Sequence, residues 1–281
     1  MIYLKKIHPI ELFLWTVRRN EKDIINMYDS LSGIMRLATG GNMLNFGLWD
    51  DDHTSPLLAQ ENMCQVFAQI SQLEPNQRII DVGSGFASPA ALWQSKYSPI
   101  EITCVDINFE QLHEKPADGA KINYVNATAR ELPFAEGSAD RVLALESSHH
   151  FKPLKKFLFE SFRVLSRNGM LVLAIPVVMR PVSFLKLGVL AMTWSSEHYD
   201  VDFVKSAIKE CGFKVVLQKN IGPSVYEPLA DYYAKNRESL KPKILAKYPS
   251  YVEKVLFNSL NKMKRVSKNG TIDYLLLSCK K

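Results

Sequence analysis

The sequence predicts an α/β fold: a doubly wound, seven-stranded, mostly parallel sheet of the Rossmann-like kind, with a helical cap. Three observations carry that expectation. From residue 78 onward, short apolar runs alternate with helix-length amphipathic segments, a rhythm that gives parallel strands joined by crossover helices. The first of these runs ends in the glycine turn Gly83-Ser84-Gly85, just ahead of a helical segment. The second ends in an acid, Asp106, about twenty residues further on.

Before this rhythm begins, residues 9–19 read as a helix with Pro9 in its first turn. Ile10, Phe13, Leu14 and Val17 fall at i, i+3, i+4 and i+7 and form one apolar stripe, expected to pack on the protein's own core or lid. A second helix is expected over 21–37. It is followed by the turn Thr39-Gly40-Gly41-Asn42 and by an aromatic stretch, 44–49, that runs into Asp50-Asp51-Asp52.

The expected strands are 78–82, 101–106, 122–125, 141–145, 170–175, 213–218 and 273–278. A helix begins near Pro89. The one between the second and third strands is expected to be truncated, because 111–121 holds Pro116 and Gly119. A helix over 157–165 is expected to close at Gly169 in a left-handed conformation, and Pro176 to stop the fifth strand. A helix over 201–211 ends at Gly212. The stretch between the sixth and seventh strands, with prolines at 223, 228, 242 and 249, is too long for a plain connection. The expected division is therefore a helical cap over 1–72, a core over 73–219, a helical insertion acting as lid over 220–270, and a last core strand over 271–281.

Composition bounds the class. With 281 residues, 47% hydrophobic and 23% charged, the chain is an ordinary soluble globular protein with a substantial core. The net charge of +6 gathers late, over 235–268, as expected of solvated faces of amphipathic helices. Cys64, Cys104, Cys211 and Cys279 form no CxxC pair, so reduced thiols in a cytoplasmic protein are expected, and no metal site. At the N-terminus, His8, Pro9 and Glu11 break the apolar stretch after Lys5-Lys6, and Arg18-Arg19 stand where a cleavage site would be needed. No apolar run approaches the roughly 18 residues a membrane span requires. Peripheral contact of the N-terminal stripe with a membrane surface is a second reading of that helix.

The glycines at 83 and 85 permit close backbone approach to a ligand, and a carboxylate at 106 can accept both hydroxyls of a ribose. A nucleoside-bearing cofactor follows. Among oxidoreductases, the short-chain enzymes use a Tyr-x-x-x-Lys pair, and no tyrosine here has a lysine four places later. His149 and His150 lie past the fourth strand, at the carboxyl ends where such sheets bind ligands. An imidazole there can take a proton from a hydroxyl. Phe46, Trp49, Trp194 and Tyr226 are candidates for an aromatic substrate chamber.

In order and spacing, several segments together resemble the class I S-adenosylmethionine-dependent methyltransferases, especially the UbiE and sugar O-methyltransferase groups. They are 80–87 (Ile-Asp-Val-Gly-Ser-Gly-Phe-Ala), Val105-Asp106-Ile107, 126–134, 138–142, 146–151 (Glu-Ser-Ser-His-His-Phe) and 162–169. The resemblance implies S-adenosylmethionine as cofactor and S-adenosylhomocysteine as product. It places Asp81, Gly83, Ser84 and Gly85 at the methionine end, with Glu146 nearby. Asp106 takes the ribose, Ile107 the adenine face, and Asn126 and the Ala127 amide the adenine edge, with Tyr28 against the cofactor. Asn126 stands where aspartate is usual, and Ala87 where a third glycine is usual. His149 and His150 become candidate bases, but the acid that sugar-methylating relatives carry after the fifth strand is missing from Ala174-Ile175-Pro176. The expected activity is O- or C-methylation of a small amphipathic, aromatic or prenylated acceptor. The rivals are a nucleic-acid methyltransferase, for which no flipped-base or RNA-binding motif is present, and a non-catalytic cofactor-binding protein.

Overall fold

The computed structural model describes residues 9–114, 121–180, 187, 190 and 197–281. The apolar runs form one sheet of seven strands: β1 (Arg78–Val82), β2 (Glu101–Asp106), β3 (Ile122–Asn126), β4 (Ala139–Leu145), β5 (Leu165–Val178), β6 (Lys214–Asn220) and β7 (Ile272–Lys280). Their order is β3-β2-β1-β4-β5-β7-β6. Strands β1 to β5 pair in parallel, and β7 runs antiparallel between β5 and β6. From β1 the chain winds outward first through β2 and β3, then back past it to β4. The carboxyl ends of β1, β2 and β4 therefore flank the switch point where open sheets bind ligands.

Alternate residues of each strand feed two cores. Ile79 and Val172 face one side, with Met63 and Phe67 of α3 (Pro56–Ile70), Trp93 of α4 (Ser88–Tyr97) and Tyr226. Ile80 and Leu171 face the other, where Phe157 and Leu158 of α6 (Leu154–Val164) and Val204 and Ile208 of α7 (Val201–Glu210) cover them. Burial on both faces is why these strands read as continuous apolar runs. The remaining helices are α1 (Pro9–Arg18), α2 (Glu21–Thr39), the short α5 (Phe109–His113), α8 (Gly222–Leu245) and α9 (Ser250–Lys268). The last two form a hairpin between β6 and β7. Among the described residues no helix is long and apolar enough to cross a membrane.

Three expectations about the elements are corrected. The α1 stripe does not pack inward: Ile10 and Val17 are 61% and 60% exposed, and it is Trp15, off that stripe, that is buried. Pro176 does not stop β5, which continues to Val178 opposite β7. Pairing with β4 ends at Ala174, and the next pairing on that side among the described residues is the bridge of Val178 to Asp200, so Pro176 falls in the gap between them, where a missing N–H is tolerated. Gly169 is not a left-handed helix terminus but a residue of β5, where a side chain would collide with Leu165.

Candidate functional site

A cavity of about 710 Å³ opens over the carboxyl ends of β1, β2 and β4 and is roofed by α2 and α9. Helix α2 begins in a capping box, with Asn20 and Asp23 each accepting the other's backbone N–H. Polar ties hold it over the sheet. Asn108 donates to Asp29 at 2.7 Å, Arg130 to Glu21 at 2.5 Å, and the Tyr28 hydroxyl lies 2.9 Å from His150 Nε2.

The floor is built by the glycine turn. Gly83 has φ +74°, and a side chain there would collide with Ser147, whose hydroxyl donates to the Val82 carbonyl at 2.6 Å. Gly85, at φ +54°, donates its N–H to Asp106 Oδ2 at 2.8 Å, and Asn108 donates to Oδ1 at 2.8 Å. Only glycine adopts both turn conformations without strain. Both Asp106 oxygens thus accept backbone amides, and the carboxylate's lone pairs keep capacity for a further donor. Burial raises the Asp106 pKa, an effect opposed by the backbone donors of Asn108, Gly85 and Ile107. Ala87, at the position of the usual third glycine, takes the left-handed conformation itself, with φ +55°.

Beside this floor stands Glu146, itself at φ +53°. Its Oε1 accepts the Phe46 N–H at 2.9 Å and the Tyr274 hydroxyl at 2.8 Å. Burial pushes its carboxyl up to about 8 against those two donors. His149 and His150 sit on the one-turn 3₁₀ helix Ser148–His150, with ring centroids 3.9 Å apart. His149 is buried and its Nδ1 has no hydrogen-bond partner. Burial first, then the charges of His150 and His198, push its affinity for a proton well below that of an ordinary imidazole. Tyr28 is shifted the other way: burial, with the Glu146 and Asp106 charges adding, raises its phenol pKa. The phenol therefore keeps its proton, and the tautomer of His150 decides which of the two donates across their 2.9 Å contact.

The structure brings together in the cavity wall Tyr28, Phe46, Gly83, Ser84, Gly85, Asp106, Ile107, Ala127, Glu146, His149 and His150. Other expected members stand elsewhere. Asp81 lies beneath the floor, outside the lining, where burial and the Asp106 charge push its carboxyl up to about 7. Asn126 is exposed and outside the lining, and its amide donates to the Asp106 and Ile107 carbonyls at 2.9 and 3.0 Å. Ala127 lines the cavity, but its N–H already donates to the Asp106 carbonyl at 3.2 Å, which leaves it no proton for an adenine. Trp49 and Tyr226 stand behind the wall. The Trp49 indole N–H donates to the Phe46 carbonyl and the Tyr226 hydroxyl to the Asp273 carbonyl, so they brace Phe46 and β7. Trp194 lies outside the described residues. One residue was missed: Gln111, on α5, is buried in the wall beside Gly85 with its Nε2 unpartnered. A lone glutamine on a five-residue helix gives no sequence signal.

A ribose-bearing ligand fits this floor, given the Asp106 oxygens, the unpartnered Gln111 amide and the bare glycine turn. Among the described residues no cluster of histidine, cysteine or acid is arranged to hold a metal.

Comparison with known proteins agrees with this geometry. Residues 80–173 match the family described as Methyltransferase domain. The chain is 23% identical over 266 residues to an erythromycin 3''-O-methyltransferase of Saccharopolyspora erythraea, with 86% of each chain covered. It is 29% identical to a 27-O-demethylrifamycin SV methyltransferase of Amycolatopsis mediterranei, covering 52% of this chain and 55% of that one. In fold it matches a cyclopropane synthase of Mycobacterium tuberculosis, with TM-score 0.81, 15% identity, and 93% and 98% of the two chains covered.

Proposed function

Taking the chain as a class I S-adenosylmethionine-dependent methyltransferase that acts on small molecules, we propose that it methylates an acceptor hydroxyl, with His150 as base and Tyr28 beside it. The carrying observation is the 2.9 Å hydrogen bond between the Tyr28 hydroxyl and His150 Nε2 inside the cavity. Asp106 would hold the ribose, Ile107 the adenine face, Gly83 to Gly85 the methionine chain, and Glu146 its cationic amino group. Gln111 would donate to the ribose. The bound cofactor supplies an electrophilic methyl group, so the protein's task is alignment and removal of one proton. His149 is a poor base because burial disfavours its charged form. His150 is only half-buried and can take the proton, directly or through Tyr28.

Oxygen rather than carbon is favoured because one relative is named a 3''-O-methyltransferase and the other a methyltransferase of a 27-O-demethyl compound. A cavity roofed by two helices favours a small acceptor over a nucleic acid. An amphipathic, aromatic or prenylated acceptor suits its apolar upper walls. Residues 1–72 and 220–270 would then serve as cap and lid, and among the described residues Phe46, which lines the cavity, is the aromatic candidate that would touch substrate. Four buried free thiols support a cytoplasmic location, and the exposed α1 stripe supports peripheral membrane contact. His150→Gln should lower kcat by a factor of roughly 10²–10⁴, and Tyr28→Phe should lower it less, while S-adenosylhomocysteine affinity stays near wild type. Unchanged kcat in His150→Gln would remove the base assignment. Cofactor binding with no transfer to any acceptor would favour the non-catalytic reading.

A further inference from the structure

Above the histidines the cavity changes character. One wall is a continuous face of α9, with Val252, Val255, Leu256, Ser259, Leu260 and Met263 at i, i+3, i+4, i+7, i+8 and i+11. At 1.5 Å of rise per residue that face is about 16 Å long. Its single polar member, Ser259, donates its hydroxyl to the Val255 carbonyl at 2.7 Å and so presents little polarity to a ligand. Across from it, every α2 residue that lines the cavity from Ile24 to Met35 is uncharged, with Met27 and Leu31 on either side of Tyr28. Both helix faces line the same cavity as Tyr28 and His150.

We propose that the acceptor is a chain-bearing amphiphile. Its hydroxyl lies at Tyr28 and His150, and a flexible apolar chain occupies the slot between α2 and α9. This rests on the methyl-transfer reading and names its substrate class. A compact polar acceptor such as a free sugar leaves both apolar walls unsatisfied. A chain gains from each methylene it removes from water, and methionines at 27, 35 and 263 adapt their shape to it.

The test is calorimetric titration of 4-ethyl-, 4-butyl- and 4-hexylphenol into the full-length protein saturated with S-adenosylhomocysteine. Kd should fall roughly threefold to fourfold for each added methylene. Leu256→Gln and Val255→Phe, one making the slot polar and one narrowing it, should weaken hexylphenol binding at least tenfold and leave ethylphenol unchanged. Equal Kd across the series overturns the proposal, as does a chain-length dependence that both variants retain. The readout does not involve turnover. A separate assay with S-adenosylmethionine in place of S-adenosylhomocysteine tests the other reading: chain-dependent binding without methyl transfer sinks the catalytic reading and leaves the slot standing, whereas flat binding with transfer to ethylphenol does the reverse.

Discussion

At Asp106 the carboxylate does two jobs. It fixes the glycine turn through Gly85 N–H and the following loop through Asn108 N–H, and it retains acceptor capacity toward the cavity. Asp106→Ala should therefore weaken S-adenosylhomocysteine binding at least hundredfold. That corresponds to about 3 kcal/mol, the low end for two hydrogen bonds to a charged group. Calorimetry showing unchanged affinity would refute the ribose assignment. Asp106 and the two turn glycines are legible in the sequence because their spacing is local: strand, turn, helix, strand. What the sequence could not show is where each side chain's hydrogen bonds go. Asn126 looked like an adenine ligand by position, yet its amide reaches back to two carbonyls of the β2 loop. Asp81 points under the floor for lack of any local signal about which face of β1 it takes. Tyr28 and His150 are brought together from distant parts of the chain, a pairing that only the tertiary fold creates.

The elements that matter most for the acceptor are α2, α8 and α9. The helix pair α8–α9 is held by Glu253, which is fully buried and accepts Arg237 Nε at 2.7 Å, Nη2 at 3.0 Å and the Tyr233 hydroxyl at 3.2 Å. Arg237 also lies 3.8 Å over the Phe257 ring. Arg237→Leu strands a buried carboxylate. It should cost about 2 kcal/mol in urea unfolding, discounted from the full penalty because the guanidinium is partly exposed. A loss within 0.5 kcal/mol would show that Glu253 is solvated after all. Helix periodicity and the four prolines announced a large insertion here, but not that its inner face would line the cavity, since an apolar stripe reads alike whether it meets a core or a ligand. The same ambiguity misled the reading of α1, whose stripe turned outward. Strand β5 passed through Pro176 because its neighbour β4 had already ended, a fact of sheet order rather than of local sequence.

For the whole molecule, the buried acids around the cavity couple stability to pH. The folded-state pKa of Glu146 is raised from 4.5 to about 8, and that of Asp81 from 3.8 to about 7. In the folded protein each holds its proton at pH values where the unfolded chain has released it. Their contribution is fully present below the unfolded values and is lost as pH rises through the window from about 4 to about 8. The melting temperature of the ligand-free protein should accordingly fall between pH 5 and pH 8.5, and Glu146→Gln should flatten that fall. A variant with the wild-type slope would show that Glu146 is ionised throughout. The sheet and the nucleoside character of the cofactor were readable from alternation and motif spacing, because the fold repeats one local unit. The acceptor slot was not, because it forms only where two helices far apart in the chain meet. The decisive measurement is a structure with S-adenosylhomocysteine bound. The ribose hydroxyls are expected on Asp106, and the sulfur facing the Tyr28–His150 pair with the α2–α9 slot beyond it. A ribose bound elsewhere, or a sulfur turned away from His150, would contradict that expectation.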